Sequence, residues 1–149
     1  MDRAEMDRAE GQAAFATFPE ELATAVHQVP VAPVVPGEWG PAEIVRHLIA
    51  VEREIWQARL AQLALEDDPH WTWVEPGLEP GFDDASLDEI VATFADARAE
   101  TVATVMGLDD AGGARFGTHA TYGVLDIAGL LRIAVDHDRE HLEAITAAG

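Results

Sequence analysis

The segment "VLDIAGLLRIAVDHDREHLEAITA", residues 124–147, decides how the chain is read. Ile127, Leu130, Leu131, Ala134 and Ile145 recur at helical steps, so the spacing predicts an amphipathic helix over 124–147. Two histidines, His137 and His141, stand four residues apart within it. Such positions project together from a helix, one turn apart. Their face also carries Leu130, Ile133 and Ala134, so the pair points toward the core side. A buried imidazole is costly unless its nitrogens are satisfied, and a metal ion would satisfy them. Two histidines at this spacing also arise by chance, so the pair alone does not establish a site.

A third candidate ligand comes from "EIVRHLIAVE", residues 43–52. His47 shares a helical side with Ile44, Leu48 and Val51. The helix is expected from Pro41, which suits a first helical position, to about Ala64, with Ile55, Leu60 and Leu63 continuing the stripe. Two further helices complete the pattern. One spans Gln12 to about Val29, with Phe15, Phe18, Leu22, Val26 and Val29 on one face; Pro19 implies a start near Phe18 or a kink. The other opens with a capping box, Ser86 and Glu89, and carries Leu87, Ile90, Val91, Phe94, Val102, Val105 and Met106 as far as Gly107. No segment reads as a strand. Four amphipathic helices predict an all-α four-helix bundle.

The breaks between helices are "PVAPVVPGEWG" (30–40), "EDDPHWTWVEPGLEPGFDD" (66–84) and "GLDDAGGARFGTHATYG" (107–123). Residues 1–11, with MDRAE in tandem, read as a polar N-terminal extension, and 12–149 as one domain. Among 149 residues there are 28 acids and nine basic residues, all arginine, for a net charge of −19. Such a surface repels nucleic acid and anionic lipid. There is no cysteine, which excludes disulfides and thiolate metal sites. No run approaches the roughly 20 apolar residues of a membrane span, and the start lacks a signal peptide's apolar core. The expected location is cytoplasmic.

Three stretches carry a resemblance. "GEWGPAEIVRHLIAVE" (37–52) resembles the entry to the second helix of DinB/YfiT-like proteins. "YGVLDIAGLLRIAVDHDREHLEAI" (122–145) resembles their last helix, with its His-Asp-x-x-His-Leu pattern. "FADARAETVATVMGL" (94–108) fits their arginine-bearing third helix. The resemblance covers most of the chain from about Phe15. It implies a four-helix bundle, a homodimer, and one divalent metal ion per chain held by His47, His137 and His141. Gly40 departs from the family's usual serine or threonine cap, which costs about a few tenths of a kcal/mol.

Three neutral imidazoles leave a coordination position open, the layout of a catalytic site. They suit zinc, nickel or iron. A bound ion could lower the pKa of a water or a thiol, or polarise a substrate oxygen. The expected partner is therefore a small-molecule substrate, with a low-molecular-weight thiol or water as nucleophile. The reaction would be of S-transferase or hydrolase type. The alternative is a non-catalytic metal- or small-molecule-binding stress-response module. Glu43 and Glu54 are candidates to receive a ligand's second ring N–H. Trp71 and Trp73 are candidates to wall a pocket over the metal, to cap the bundle end or to enter a dimer contact, and His119 is a candidate fourth ligand or proton shuttle. Asp136, Asp138 and Glu140 are read as a solvated face, and His27 as a surface or core histidine without a partner.

Overall fold

The computed structural model describes residues 3–30, 35 and 37–147. Residues 31–34 and 36 of the proline-rich 30–40 break, the first two residues of the N-terminal extension and residues 148–149 lie outside them. Four long helical rods form the bundle. They are α1 (Arg3–Val26), a composite rod, α4 (Leu87–Met106) and α6 (Ile127–Ala147), with the single-turn α5 (Asp110–Gly113) between the last two. The composite rod joins α2 (Pro41–Val51) to α3 (Ala58–Leu65) through a π-helical turn, Glu52–Gln57. Helix α1 packs on α4 and α6, and α2 packs on the same two helices.

The predicted stripes are the buried ones. Phe15, Phe18, Leu22 and Val26 of α1 are buried, as are Ile44, Leu48, Val51, Ile55, Leu60 and Leu63 of the composite rod. Met106, expected on the apolar face of α4, is 75% exposed at the helix end. The capping box at Ser86 and Glu89 is present in both directions. Gly40 caps α2 with no side-chain hydrogen bond, and Pro41 follows it.

Helix α1 runs through Pro19 instead of starting after it. A proline has no N–H, so the carbonyl of Phe15, four residues back, loses its helical donor. That carbonyl instead accepts a hydrogen bond from Nη1 of Arg98 on α4, at 2.8 Å. The same guanidinium donates to both oxygens of Asp138 at 2.9 Å and, through Nε, to Glu52 Oε1 at 3.0 Å. Arg98, Glu52 and Asp138 are each at most 1% exposed. They lie at the junction of two apolar clusters: Arg98 stands 3.8 Å from the Phe15 ring centroid in one and 5.1 Å from that of Phe94 in the other.

This overturns the reading of Asp138 as solvated. A helical position is solvated or buried according to its stripe, and Asp138 lies four residues after buried Ala134. The π turn was not foreseen either. Its wider bore turns Glu52, Ile55 and Trp56 all inward, and such turns gather at functional sites.

The expectation of no strands also fails. A small sheet of β1 (His70–Trp71), β2 (Phe116–His119) and β3 (Gly123–Asp126) closes one side of the bundle, with β1–β2 parallel and β2–β3 antiparallel. Strands of two to four residues are too short to show an alternating pattern. The β2–β3 hairpin turns through Ala120, Thr121 and Tyr122, and Gly123 takes φ +77°, the glycine position of a three-residue hairpin loop. Consequently α6 starts at Ile127, not near Val124, with the Asp126 carboxylate accepting the N–H of Gly129. Gly117 admits the indole of Trp71: a Cβ there would stand 2.5 Å from Trp71 Cη2.

Candidate metal centre

His47 is fully buried on α2, and His137 and His141 face it from α6. One nitrogen from each of the three rings lies within 4.8 Å of the other two. The ring centroids of His47 are 4.9 Å from His141 and 6.0 Å from His137. Nε2 of His137 and Nε2 of His141 are 3.2 Å apart. Structure thus brings together the three histidines singled out in the sequence, from helices about 90 residues apart along the chain.

The hydrogen bond to Gly77 selects the free nitrogen of His47. Nδ1 of His47 lies 3.2 Å from the carbonyl oxygen of Gly77. A carbonyl only accepts, so Nδ1 carries the proton and Nε2 keeps its lone pair. Gly77, on the loop after β1, therefore holds the role considered for Glu43 and Glu54; Glu54 is exposed. His47 Nε2 has no hydrogen-bond partner among the described residues, and neither has His137 Nδ1. Burial, and then the neighbouring His141 and His47, push the His137 pKa down to about 3. Burial, and then His47, push His141 down to about 4, against the pull of Glu75. Both rings are accordingly neutral at neutral pH, the state in which imidazole ligates a metal.

Ligands about 2.0–2.1 Å from one ion stand roughly 2.9–3.4 Å apart when at right or tetrahedral angles. The 3.2 Å separation of the two Nε2 atoms on α6 falls in that range. The unpartnered Nε2 of His47 and the two half-buried neutral rings on α6 complete the fit for a divalent ion.

Aromatic rings wall the cluster. Trp39 stacks 5.1 Å from His47, Trp73 5.4 Å from His137, and Trp56 6.1 Å from His137 in an edge-on arrangement. A cavity of about 450 Å³ opens beside His137 and His141, lined also by Trp73, Glu75, Tyr122, Ile133, Asp136 and Glu140. That volume suits a small molecule. Trp73 thus walls the pocket, whereas Trp71 is buried and donates its indole N–H to Gln62 Oε1 at 2.7 Å.

His119 is buried outside the three-histidine group. Its Nδ1 accepts the backbone N–H groups of Thr121 and Tyr122, which puts the proton on Nε2. His27 is exposed and pairs with Asp88 Oδ1 at 2.8 Å. Two residues near the site escaped the sequence reading. Glu75 places Oε1 3.0 Å from His47 Nε2, off the direction an N–H hydrogen bond requires. Arg59 is 4% exposed and lies 5.3–5.9 Å from the ring centroids of Trp56, Trp71 and Trp73.

A four-helix bundle with three histidines converging from its second and last long rods is the arrangement of a candidate metal centre. The chain belongs to the DinB superfamily, whose family model matches residues 3–145. No curated protein matches it. Among solved structures it is similar to YfiT from Bacillus subtilis, at 18% identity and a TM-score of 0.72 over 99% of this chain and 87% of that one. YfiT is described as a probable metal-dependent hydrolase with an unusual four-helix bundle topology. It is also similar to TT2238, described as a four-helix bundle protein, at 25% identity and a TM-score of 0.64 over 94% of this chain and 98% of that one.

Proposed function

We propose that His47, His137 and His141 hold one divalent metal ion and that the protein is a metal-dependent enzyme of hydrolytic type acting on a small molecule. The observation that carries this reading is the convergence of three imidazole nitrogens within 4.8 Å, two of them on rings kept neutral by burial, beside a cavity of about 450 Å³. An ion in such a site supplies Lewis acidity, which activates water or polarises a substrate oxygen.

The chain's own residues supply the rest. Gly77 fixes the tautomer and orientation of His47, as a ligand's outer hydrogen bond commonly does. Trp39, Trp56 and Trp73 keep bulk water from the imidazoles and lower the local dielectric. Tyr122 and the half-exposed Glu75 border the cavity where a substrate would sit. The fold match with YfiT carries the architecture alone; the direction toward hydrolysis agrees with that protein's description. Nothing around the cavity favours a thiol over water, so transfer from a thiol is the lesser variant. Zinc, nickel and iron all suit three imidazoles. Among the described residues no helix is long and apolar enough to cross a membrane, and we place the protein in the cytoplasm as a homodimer. Screening ester, amide and lactone substrates with the metal-loaded protein and His137→Ala tests the activity. Turnover by the first alone is expected; equal background rates would favour a binding module.

A further inference from the structure

We infer that Glu75 is a displaceable fourth protein ligand of the ion; this rests on the three-histidine reading and deepens it. Among the described residues, Glu75 is the one carboxylate within 4.0 Å of a ring nitrogen of the cluster, its Oε1 lying 3.0 Å from His47 Nε2. The contact is not a hydrogen bond. Nδ1 of His47 donates to Gly77, and the carboxylate sits off the donor axis of Nε2, which makes no hydrogen bond among the described residues. A lone pair and a carboxylate oxygen at this separation repel unless a cation lies between their axes. Two donor atoms bound to one ion at right angles stand about 2.9 Å apart, and the observed 3.0 Å matches that arrangement.

The carboxylate is also positioned. Its Oε2 accepts the indole N–H of Trp73, and the Trp73 ring packs 5.4 Å from His137. Glu75 and Gly77 leave the same loop and grip His47 from its two nitrogens. Asp136 and Glu140 border the cavity too, but both are exposed and neither approaches a ring nitrogen of the cluster. Charge favours the assignment, because three imidazoles leave the full dication uncompensated in a site of low dielectric, and one carboxylate halves it. Displacement is easy for the same structural reason that the sequence did not disclose the residue. Glu75 rides on a loop and its side chain is 59% exposed; its oxygens lie outside the group of atoms within 4.8 Å of one another, so the loop must bring the carboxylate inward for it to share the ion.

The test measures zinc affinity by competition with a chromophoric chelator, and the visible spectrum of the cobalt-substituted protein, for wild type, Glu75→Gln, Glu75→Ala and His141→Ala. Glu75→Ala is expected to bind zinc about 10-fold more weakly or worse, with an altered cobalt spectrum that added acetate moves back toward wild type. Glu75→Gln should weaken binding with the fold intact. Wild-type affinity and an unchanged spectrum in both Glu75 variants, while His141→Ala loses the metal, would overturn the role of Glu75 and leave the three-histidine site standing. No zinc or cobalt binding by wild type would overturn both.

Discussion

Asp138 and its neighbours His137 and His141 leave α6 in different directions, into two buried polar clusters whose atoms are met in different ways. In the first, Arg98 spends its donors on Asp138, Glu52 and the Phe15 carbonyl freed by Pro19. Burial opposes the charge on Arg98, yet Glu52 and Asp138 raise its pKa. Burial also pushes Asp138 up to about 6, with Arg98 pulling the other way. That cluster is supplied from within the chain except at Glu52 Oε2, which has no hydrogen-bond partner among the described residues. In the second, three imidazoles turn their nitrogens toward one another, and His47 Nε2 finds no donor. A buried polar group without a partner costs free energy. A cluster left unsatisfied beside a cavity is therefore a place for something the chain does not contain.

The largest expected effect belongs to the closed cluster. Arg98→Met leaves two buried carboxylates without their cation, and should cost about 3–5 kcal/mol of unfolding free energy. Urea denaturation measures it; a loss below about 1 kcal/mol would show that the ion network is incidental to the fold.

A smaller effect should appear with pH in the open cluster. An unfolded histidine titrates near about 6.5, whereas folded, metal-free His137 and His141 titrate near about 3 and about 4. As pH falls below the unfolded value, the unfolded chain takes up protons that the folded one refuses, so stability is lost. Asp138 runs the other way, since its folded pKa of about 6 lies above the ordinary 3.8. Two histidines outweigh one carboxyl. The urea midpoint of metal-free protein should fall between pH 7 and pH 5, and fall less in the His137→Ala, His141→Ala double variant. Equal slopes would mean that the rings are solvated.

The smallest effect sharpens the comparison with a second buried arginine. Arg59 makes no hydrogen bond or ion pair among the described residues; tryptophan faces surround it, and burial lowers its pKa. Arg59→Met gives up cation–π attraction and removes a desolvated, unpaired charge, two terms of opposite sign. Its stability should stay within about 1 kcal/mol of wild type. A loss as large as that of Arg98→Met would reveal an anionic partner for Arg59.

The four rods were legible from helical period, and the histidine triad from that period together with the family resemblance. His47, His137 and His141 fall on stripes otherwise made of leucine, isoleucine and alanine. The same rule, applied to charges, would have found the closed cluster. Glu52 lies four residues after Leu48, Arg98 four after Phe94, and Asp138 four after Ala134, each a buried position. A charge on an apolar stripe reads as a polar break until its partners are known, and those stand on other helices. Whether the helix starts or continues at Pro19 stayed open for a related reason, since the donor that takes up the freed carbonyl of Phe15 is 83 residues further along the chain. The hairpin had a local sign in Thr121-Tyr122-Gly123, but strands this short leave no period to read. Glu75 left no periodic mark at all, because a loop places it.

The central claim is that the open cluster holds a metal. Purified protein, reconstituted with zinc and dialysed at neutral pH, is assayed by elemental analysis beside His47→Ala and His141→Ala, with circular dichroism confirming that all three are folded. About one ion per 16.0 kDa chain is expected for wild type, with loss of most of it in each variant, as when one of three ligands is removed. Wild type without zinc, or folded variants that keep as much zinc as wild type, would contradict it.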